Sequence, residues 1–366
     1  EKLSIENSEI LLKMKINNPE LESLVTVSVQ PLKEIQQSLQ SEINFIEYYY
    51  NADWLYIWII NKNDIKFEQA KIKGEYLDNL IIQYNNRIQK ITYIEDLSQE
   101  LYKILILPIE KYLTNTKYIC IIPHNKLHYL SFASLNDGKN YLIDKYPLFY
   151  LTSLSLTKYV FSEPKKKEKT RLKILSIGNP DLGDLNYELP LARLEAISIK
   201  WEFPEIDILL DTEAKISSVI KNISKYNVIH IASHGEFNSI NPLFSALKLT
   251  PDDLYDGDLK ALDVFNLELK ADLVTLSACQ SGLGKIAGGD EIIGLNRAFF
   301  YAGTKSIVST LWRVDDLATS LLMKHFYRNY SYFNKIESLR NAQLYVKSLY
   351  PHPVYWAGIS LSGFYE

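Results

Sequence analysis

Residues 227–235 read Asn-Val-Ile-His-Ile-Ala-Ser-His-Gly, and residues 271–282 read Ala-Asp-Leu-Val-Thr-Leu-Ser-Ala-Cys-Gln-Ser-Gly. Each opens with a short, near-continuously apolar run, the pattern of a strand covered on both faces rather than one alternating between core and water. Each run then ends on a reactive side chain, His234 in the first and Cys279 in the second, with glycine following directly or shortly after. In open α/β sheets, reactive groups collect just beyond the carboxyl ends of the strands. The separation of the two positions leaves room for a loop, a further strand and a crossover helix between adjacent parallel strands.

Working outward, the same grammar continues on both sides. Strands are expected at 173–177, 206–210, 227–233, 271–277, 305–309 and 354–361, with helices at 189–203, 213–224, 290–301, 315–330 and 335–348. This regular alternation predicts an α/β fold with helices on both faces of a sheet. Upstream, β-rich stretches at 45–50 and 54–60 suggest a hairpin or meander, helices are expected over 74–90 and 95–113, a buried strand over 118–122, and short strands within 141–151. Residues 1–40 read as a helical lead-in. Between the halves, Ser162-Glu-Pro-Lys-Lys-Lys-Glu-Lys-Thr-Arg171 has a proline, five basic residues and no apolar one, which reads as a solvated linker. The expected units are therefore 1–40, 41–161, the linker 162–171, and 172–366.

Composition narrows the function. With 366 residues, 47% hydrophobic and 23% charged, the chain can bury a sizeable core. A net charge of −4 carries no nucleic-acid footprint. No apolar run reaches the length of a membrane span; the longest, around Trp54 to Ile60, is strand-sized. Neither nucleic acid nor membrane is expected as a partner. Only Cys120 and Cys279 occur, too few for a disulfide framework, so a reducing, cytoplasmic setting is the simplest. The chain opens on Glu1 rather than methionine, which suggests the C-terminal part of a longer polypeptide or a trimmed one.

The pairing of His234 with Cys279 suits nucleophilic catalysis. A thiol is mostly protonated at neutral pH while its thiolate is the nucleophile, and an imidazole can take that proton and later give it to a leaving amine. The backbone N–H groups of Gly235 and Cys279 are candidates for an oxyanion hole. The competing reading of the same residues is a buried cysteine beside an incidental histidine. His230, mid-strand, reads as a buried hydrogen-bonded histidine. Cys120, His124 and His128 have a spacing that could draw a metal, but Pro123 breaks any helix aligning them, so no metal is expected. Ser281–Gly289 lacks the Ser or Thr that a phosphate loop needs after its Gly-Lys, so no nucleotide or other cofactor is expected either. Asp290 and Glu291 sit where a helix N-terminus favours acidic residues.

Several segments together resemble the CHAT family, caspase-like domains usually found behind TPR repeats and related to caspases and separases. They are His230-Ile-Ala-Ser-His-Gly235, Asp272-Leu-Val-Thr-Leu-Ser-Ala-Cys-Gln-Ser-Gly282, Ile293-Gly-Leu-Asn-Arg-Ala-Phe-Phe-Tyr-Ala-Gly303, Ser309-Thr-Leu-Trp-Arg-Val-Asp-Asp316 and Pro353-Val-Tyr-Trp-Ala-Gly358. Ile122-Pro-His-Asn-Lys-Leu-His-Tyr-Leu-Ser-Phe132 and Asn18-Pro-Glu-Leu21 are similar to its N-terminal half. The resemblance implies a caspase-like three-layer sandwich in two tandem lobes, 41–161 without catalytic residues and 172–366 active. It implies a cysteine endopeptidase with His234 as base and Cys279 as nucleophile, acting on a protein substrate. An upstream TPR or sensor region would regulate it, and bacterial defence would be one setting, with a gasdermin-like or CRISPR-associated substrate. By the same resemblance Asp316 is a candidate S1 carboxylate, with Asp315 and Trp312 as further substrate-binding candidates; Asp315 also suits a helix N-cap. The alternative function is a partner-gated interaction module with little free peptidase activity.

Overall fold

The computed structural model of the chain describes residues 31–157, 172–238, 241–280 and 290–366. Outside them lie most of the lead-in with Asn18–Leu21, the basic linker, the Ser281–Gly289 loop, and the side chains of Cys279, Asp290 and Glu291.

The described chain begins with helix α1 (Leu32–Ser38), then a meander of strands β1 (Ile43–Tyr50), β2 (Trp54–Ile60) and β3 (Ile65–Lys71). Helices α2 (Gly74–Gln89) and α3 (Glu95–Leu105) lead to strand β4 (Tyr118–Ile122), the short helix α4 (Leu142–Lys145) and strand β5 (Leu148–Tyr150). Beyond the linker come β6 (Ile174–Gly178), α5 (Pro190–Ser198), β7 (Ile206–Leu210), α6 (Ile216–Asn222) and β8 (Val228–Glu236). Two short strands, β9 (Ala246–Lys248) and β10 (Asp258–Lys260), precede α7 (Ala261–Phe265) and β11 (Leu273–Gln280). The chain finishes with α8 (Asp290–Tyr301), β12 (Ser306–Thr310), α9 (Asp316–Tyr330), α10 (Lys335–Leu349) and β13 (Ile359–Gly363).

All of these strands join one 13-stranded sheet, whose main path runs β10-β9-β8-β11-β12-β13-β5-β4-β1-β2-β3 with β6 and β7 branching from β8. The halves expected as two lobes therefore share a sheet, joined where β13 runs parallel to β5 at Ser362 and Tyr150. The larger apolar cluster also crosses the linker: it takes Phe45, Ile121 and Phe149 from the first half and Val228, Leu273, Trp312 and Phe326 from the second. A second cluster fills the other face of the C-terminal half, with Ile177, Ile231 and Leu276 from the strands against Val219, Val264 and Phe299 from helices. Alternate residues of β6, β8 and β11 thus enter different cores, which is why these strands read as unbroken apolar runs.

Differences from the sequence expectations have local causes. Strand β3 is an edge strand whose side chains are largely exposed, so it lacks an apolar signature. The last residues of β8 and β11 were expected to be loop. Instead Gly235 and Glu236 pair with Leu247 and Ala246 of β9 on one side, and Gly235 pairs with Gln280 on the other, so both strands extend through their reactive residues. Leu142–Lys145 is a turn of helix, with the Asp144 carboxylate accepting from the Tyr141 backbone N–H, rather than a strand.

Candidate active site

The site sits where β8 and β11 run parallel at their carboxyl ends. Their register pairs Thr275 with His230, Ala278 with Ser233 and Cys279 with His234, so the backbones of the two reactive residues are neighbours across one strand spacing of about 4.8 Å. Gly235 is buried between neighbours: a Cβ there would meet the Phe237 ring at 3.1 Å and the Ala278 methyl at 3.4 Å. A side chain at 235 would press first on the Phe237 ring, while its contact with β11 would be an ordinary one.

The His234 ring is held by the loop that follows β6. Its Nε2 lies 2.9 Å from the carbonyl oxygen of Tyr187, and the Tyr187 ring meets the imidazole edge-on at 5.7 Å. A carbonyl only accepts, so Nε2 carries the proton and Nδ1 is left to act as acceptor. Tyr187 closes a short 3-10 turn, Leu185–Tyr187, capped by the Asp184 carboxylate accepting from the Asn186 N–H. That turn belongs to the loop between β6 and α5, tied at both ends by Asn179, a non-glycine residue at φ 52. The Asn179 side chain accepts from the Leu189 N–H and donates to the Asp211 carboxylate at 2.7 Å. Beside the loop opens a cleft of ≈ 320 Å³ lined by Asn179, Asp181, Asp184, Tyr187, Glu188 and Asp211 among others. Arg193 pairs with Asp211 at its rim at 3.0 Å.

The other sequence candidates fall elsewhere. Trp312 is buried at 1% exposure, where its Nε1–H donates to the Val354 carbonyl at 3.2 Å and its ring lies against Gly358. The segments around Trp312 and Trp356 therefore meet in the core, and the Trp312 indole has no face open to a substrate. Asp315 caps α9, its carboxylate accepting from the Ala318 N–H at 2.9 Å. Asp316 is exposed at the first position of α9. Cys120 is fully buried in β4, which pushes its thiol up, and His124 lies among Tyr49 and Tyr50. His128 is pushed down to about 4, chiefly by burial and then by the charges of Arg297 and His124. Among the described residues no three His, Cys, Asp or Glu side chains are grouped to hold a metal.

Two partners of the site carry no sequence signal. The Tyr187 carbonyl is one, since every residue has a carbonyl. The other is Glu195 of α5, 2% exposed, whose Oε1 lies 3.1 Å from His230 Nε2.

A model of the CHAT domain matches residues 95–364. The fold is similar to a chain of the Saccharomyces cerevisiae separase–securin complex at 3.0 Å resolution, with TM-score 0.61 at 9% identity over 91% of this chain and 30% of that one. The same complex at 2.6 Å gives TM-score 0.59 at 10% identity over 91% and 31%. The chain thus spans about a third of the length of these separase chains. No curated protein matches the sequence. With helices packed on a central sheet, and a family match covering most of its length, the chain belongs to the CHAT domain family.

Proposed function

We propose that this chain is a cysteine endopeptidase that cleaves a protein substrate with His234 and Cys279 as its dyad. The observation that carries the reading is the register that sets Cys279 opposite His234, with the histidine anchored through Nε2 on the Tyr187 carbonyl. That anchor leaves Nδ1 as the base. His234 Nδ1 takes the Cys279 proton, and the thiolate sulfur forms a bond to the peptide carbonyl carbon while the carbonyl π pair moves to oxygen. Backbone N–H groups of Gly235 and Cys279 receive the oxyanion. Collapse breaks the C–N bond, His234 protonates the leaving amine, and a thioester remains on Cys279. His234 then deprotonates a water that attacks the thioester, and the sulfur leaves as thiolate.

In this reading residues 41–161 are a caspase-like lobe without catalytic residues, and 172–366 carry the reaction. An upstream TPR or sensor region controls access, in a setting such as bacterial defence. Asp316, at the start of α9, is the proposed S1 carboxylate, which would favour a basic residue before the scissile bond. The test is a cleavage profile on proteome-derived peptides. Wild type is expected to give a defined cleavage motif and Cys279→Ala none; turnover that survives in Cys279→Ala refutes the dyad. Asp316→Ala is expected to change the residue preferred before the cut without abolishing cleavage.

A further inference from the structure

Four residues below the dyad, the same two strands carry a second, fully buried pairing. His230 is the register partner of Thr275, just as His234 is of Cys279. Ser176 of β6 is the register partner of His230 on its other side. This polar row crosses three strands of a sheet that is otherwise apolar at this depth, and two helices answer it. From α5, Glu195 Oε1 stands 3.1 Å from His230 Nε2, and the Ala196 carbonyl accepts from Ser176 Oγ at 3.1 Å. From α9, the Tyr327 hydroxyl lies 3.3 Å from His230 Nδ1 and donates to Thr275 Oγ1 at 2.9 Å. His230, Thr275, Ser176 and Tyr327 are 0% exposed and Glu195 2%.

Burying a carboxyl and an imidazole together stabilises a fold less than apolar residues of the same shape would. Glu195 Oε1 and His230 Nε2 have no hydrogen-bond partner among the described residues, and the contact they share is the close approach of 3.1 Å between them. Such a pair is best explained by what it holds in place. Helix α5 is the continuation of the loop whose Tyr187 carbonyl holds His234. The segment 187–195 therefore touches β8 at two points, Glu195 on His230 inside the sheet and Tyr187 on His234 at its end. Tyr327 and Thr275 extend the first point to the strand that bears Cys279.

We propose that Glu195, through His230, and Tyr327, through Thr275, are positioning residues that set the Tyr187 carbonyl and the ends of β8 and β11 for the dyad. The proposal rests on the reading of His234 and Cys279 given above. Loss of the Glu195 contact lets α5 shift along the sheet, and Tyr187 with it, so that His234 loses its orientation toward the thiol. Displacements well under 1 Å at such a site cost on the order of tenfold in rate.

The experiment is alkylation of the intact protein by iodoacetamide from pH 5 to 9, with modification of Cys279 followed by peptide mass spectrometry and folding by thermal melts. Wild type is expected to alkylate Cys279 at pH 6 faster than an ordinary thiol does, and His234→Ala to lose that advantage. Glu195→Gln and Tyr327→Phe, which preserve shape, are expected to slow alkylation at pH 6 by about tenfold and threefold and to steepen its rise with pH. A purely structural role would lower the melting temperature and leave the pH profile of the folded protein unchanged. Wild-type profiles in Glu195→Gln and Tyr327→Phe, with His234→Ala impaired, overturn the positioning role alone. A His234→Ala profile equal to wild type overturns the dyad itself. Should Glu195→Gln fail to fold, the profile of Tyr327→Phe decides.

Discussion

Gly178→Ala puts the seating of helix α5 to a direct test. Gly178 ends β6, and a Cβ placed on it would lie 2.6 Å from the Ala196 Cβ and 2.7 Å from the Ala192 carbonyl oxygen of α5. Neither is the tip of a flexible side chain. Carbon atoms in contact prefer about 3.5–4.0 Å, so the helix must retreat from the sheet by roughly 1 Å. Overpacking of this kind costs about 1–3 kcal/mol. At roughly 2 °C per kcal/mol for a chain of this size, the melting temperature is expected to fall by about 2–6 °C. The functional effect is expected to be larger than the loss of stability, because α5 carries Glu195 and continues the Tyr187 loop. A misplacement of about 1 Å at an orienting contact reduces rate by on the order of 100-fold. Peptide cleavage and Cys279 alkylation are measured at a temperature where both proteins are fully folded. A variant that melts with wild type and alkylates at the wild-type rate refutes the claim that α5 is seated tightly on β6. One that melts lower but keeps its alkylation profile breaks the link between α5 and the histidine.

Two further outcomes follow from single side chains. His128 has a folded pKa of about 4, held down first by burial, against about 6.5 in an unfolded chain. The unfolded state therefore binds the proton first, and the contribution of His128 is complete above about pH 6.5 and lost as pH falls toward 4, by up to about 3 kcal/mol. Melting temperatures of His128→Gln between pH 4 and 7 are expected to fall less steeply than those of wild type; equal slopes contradict the assignment. Asp315→Ala removes the carboxylate that accepts from the Ala318 N–H and is expected to lower stability by about 1 kcal/mol, with Asp315→Asn retaining most of it. An Asp315→Ala protein that melts normally but cleaves different peptides would make Asp315 a substrate contact instead.

Much of the architecture was legible in the residues because it rests on local pattern. The expectation for 54–60 coincides with β2, that for 118–122 with β4, and that for 206–210 with β7. In each case a short β-branched or aromatic run is bounded by turn residues or a proline. What escaped were the elements without an apolar signature. Strands β9 and β10 are three residues each and owe their existence to pairing with β8 and with one another.

The sequence by itself determined that His234 and Cys279 stand at the ends of two strands buried on both faces, since alternation, glycine placement and the family segments are all properties of contiguous residues. Tertiary structure decided how those ends meet. The register of β8 on β11 is set by hydrogen bonds between residues far apart in the chain, and a shift of one position would turn each side chain to the opposite core. The same holds for the continuity of the sheet through β13 and β5, and for the burial of Trp312 against Gly358. The groups that surround the histidines, a backbone carbonyl at Tyr187 and a carboxyl at Glu195, have no residue type or spacing that marks them. They become visible only when helix α5 is laid across the sheet, because what distinguishes them is proximity.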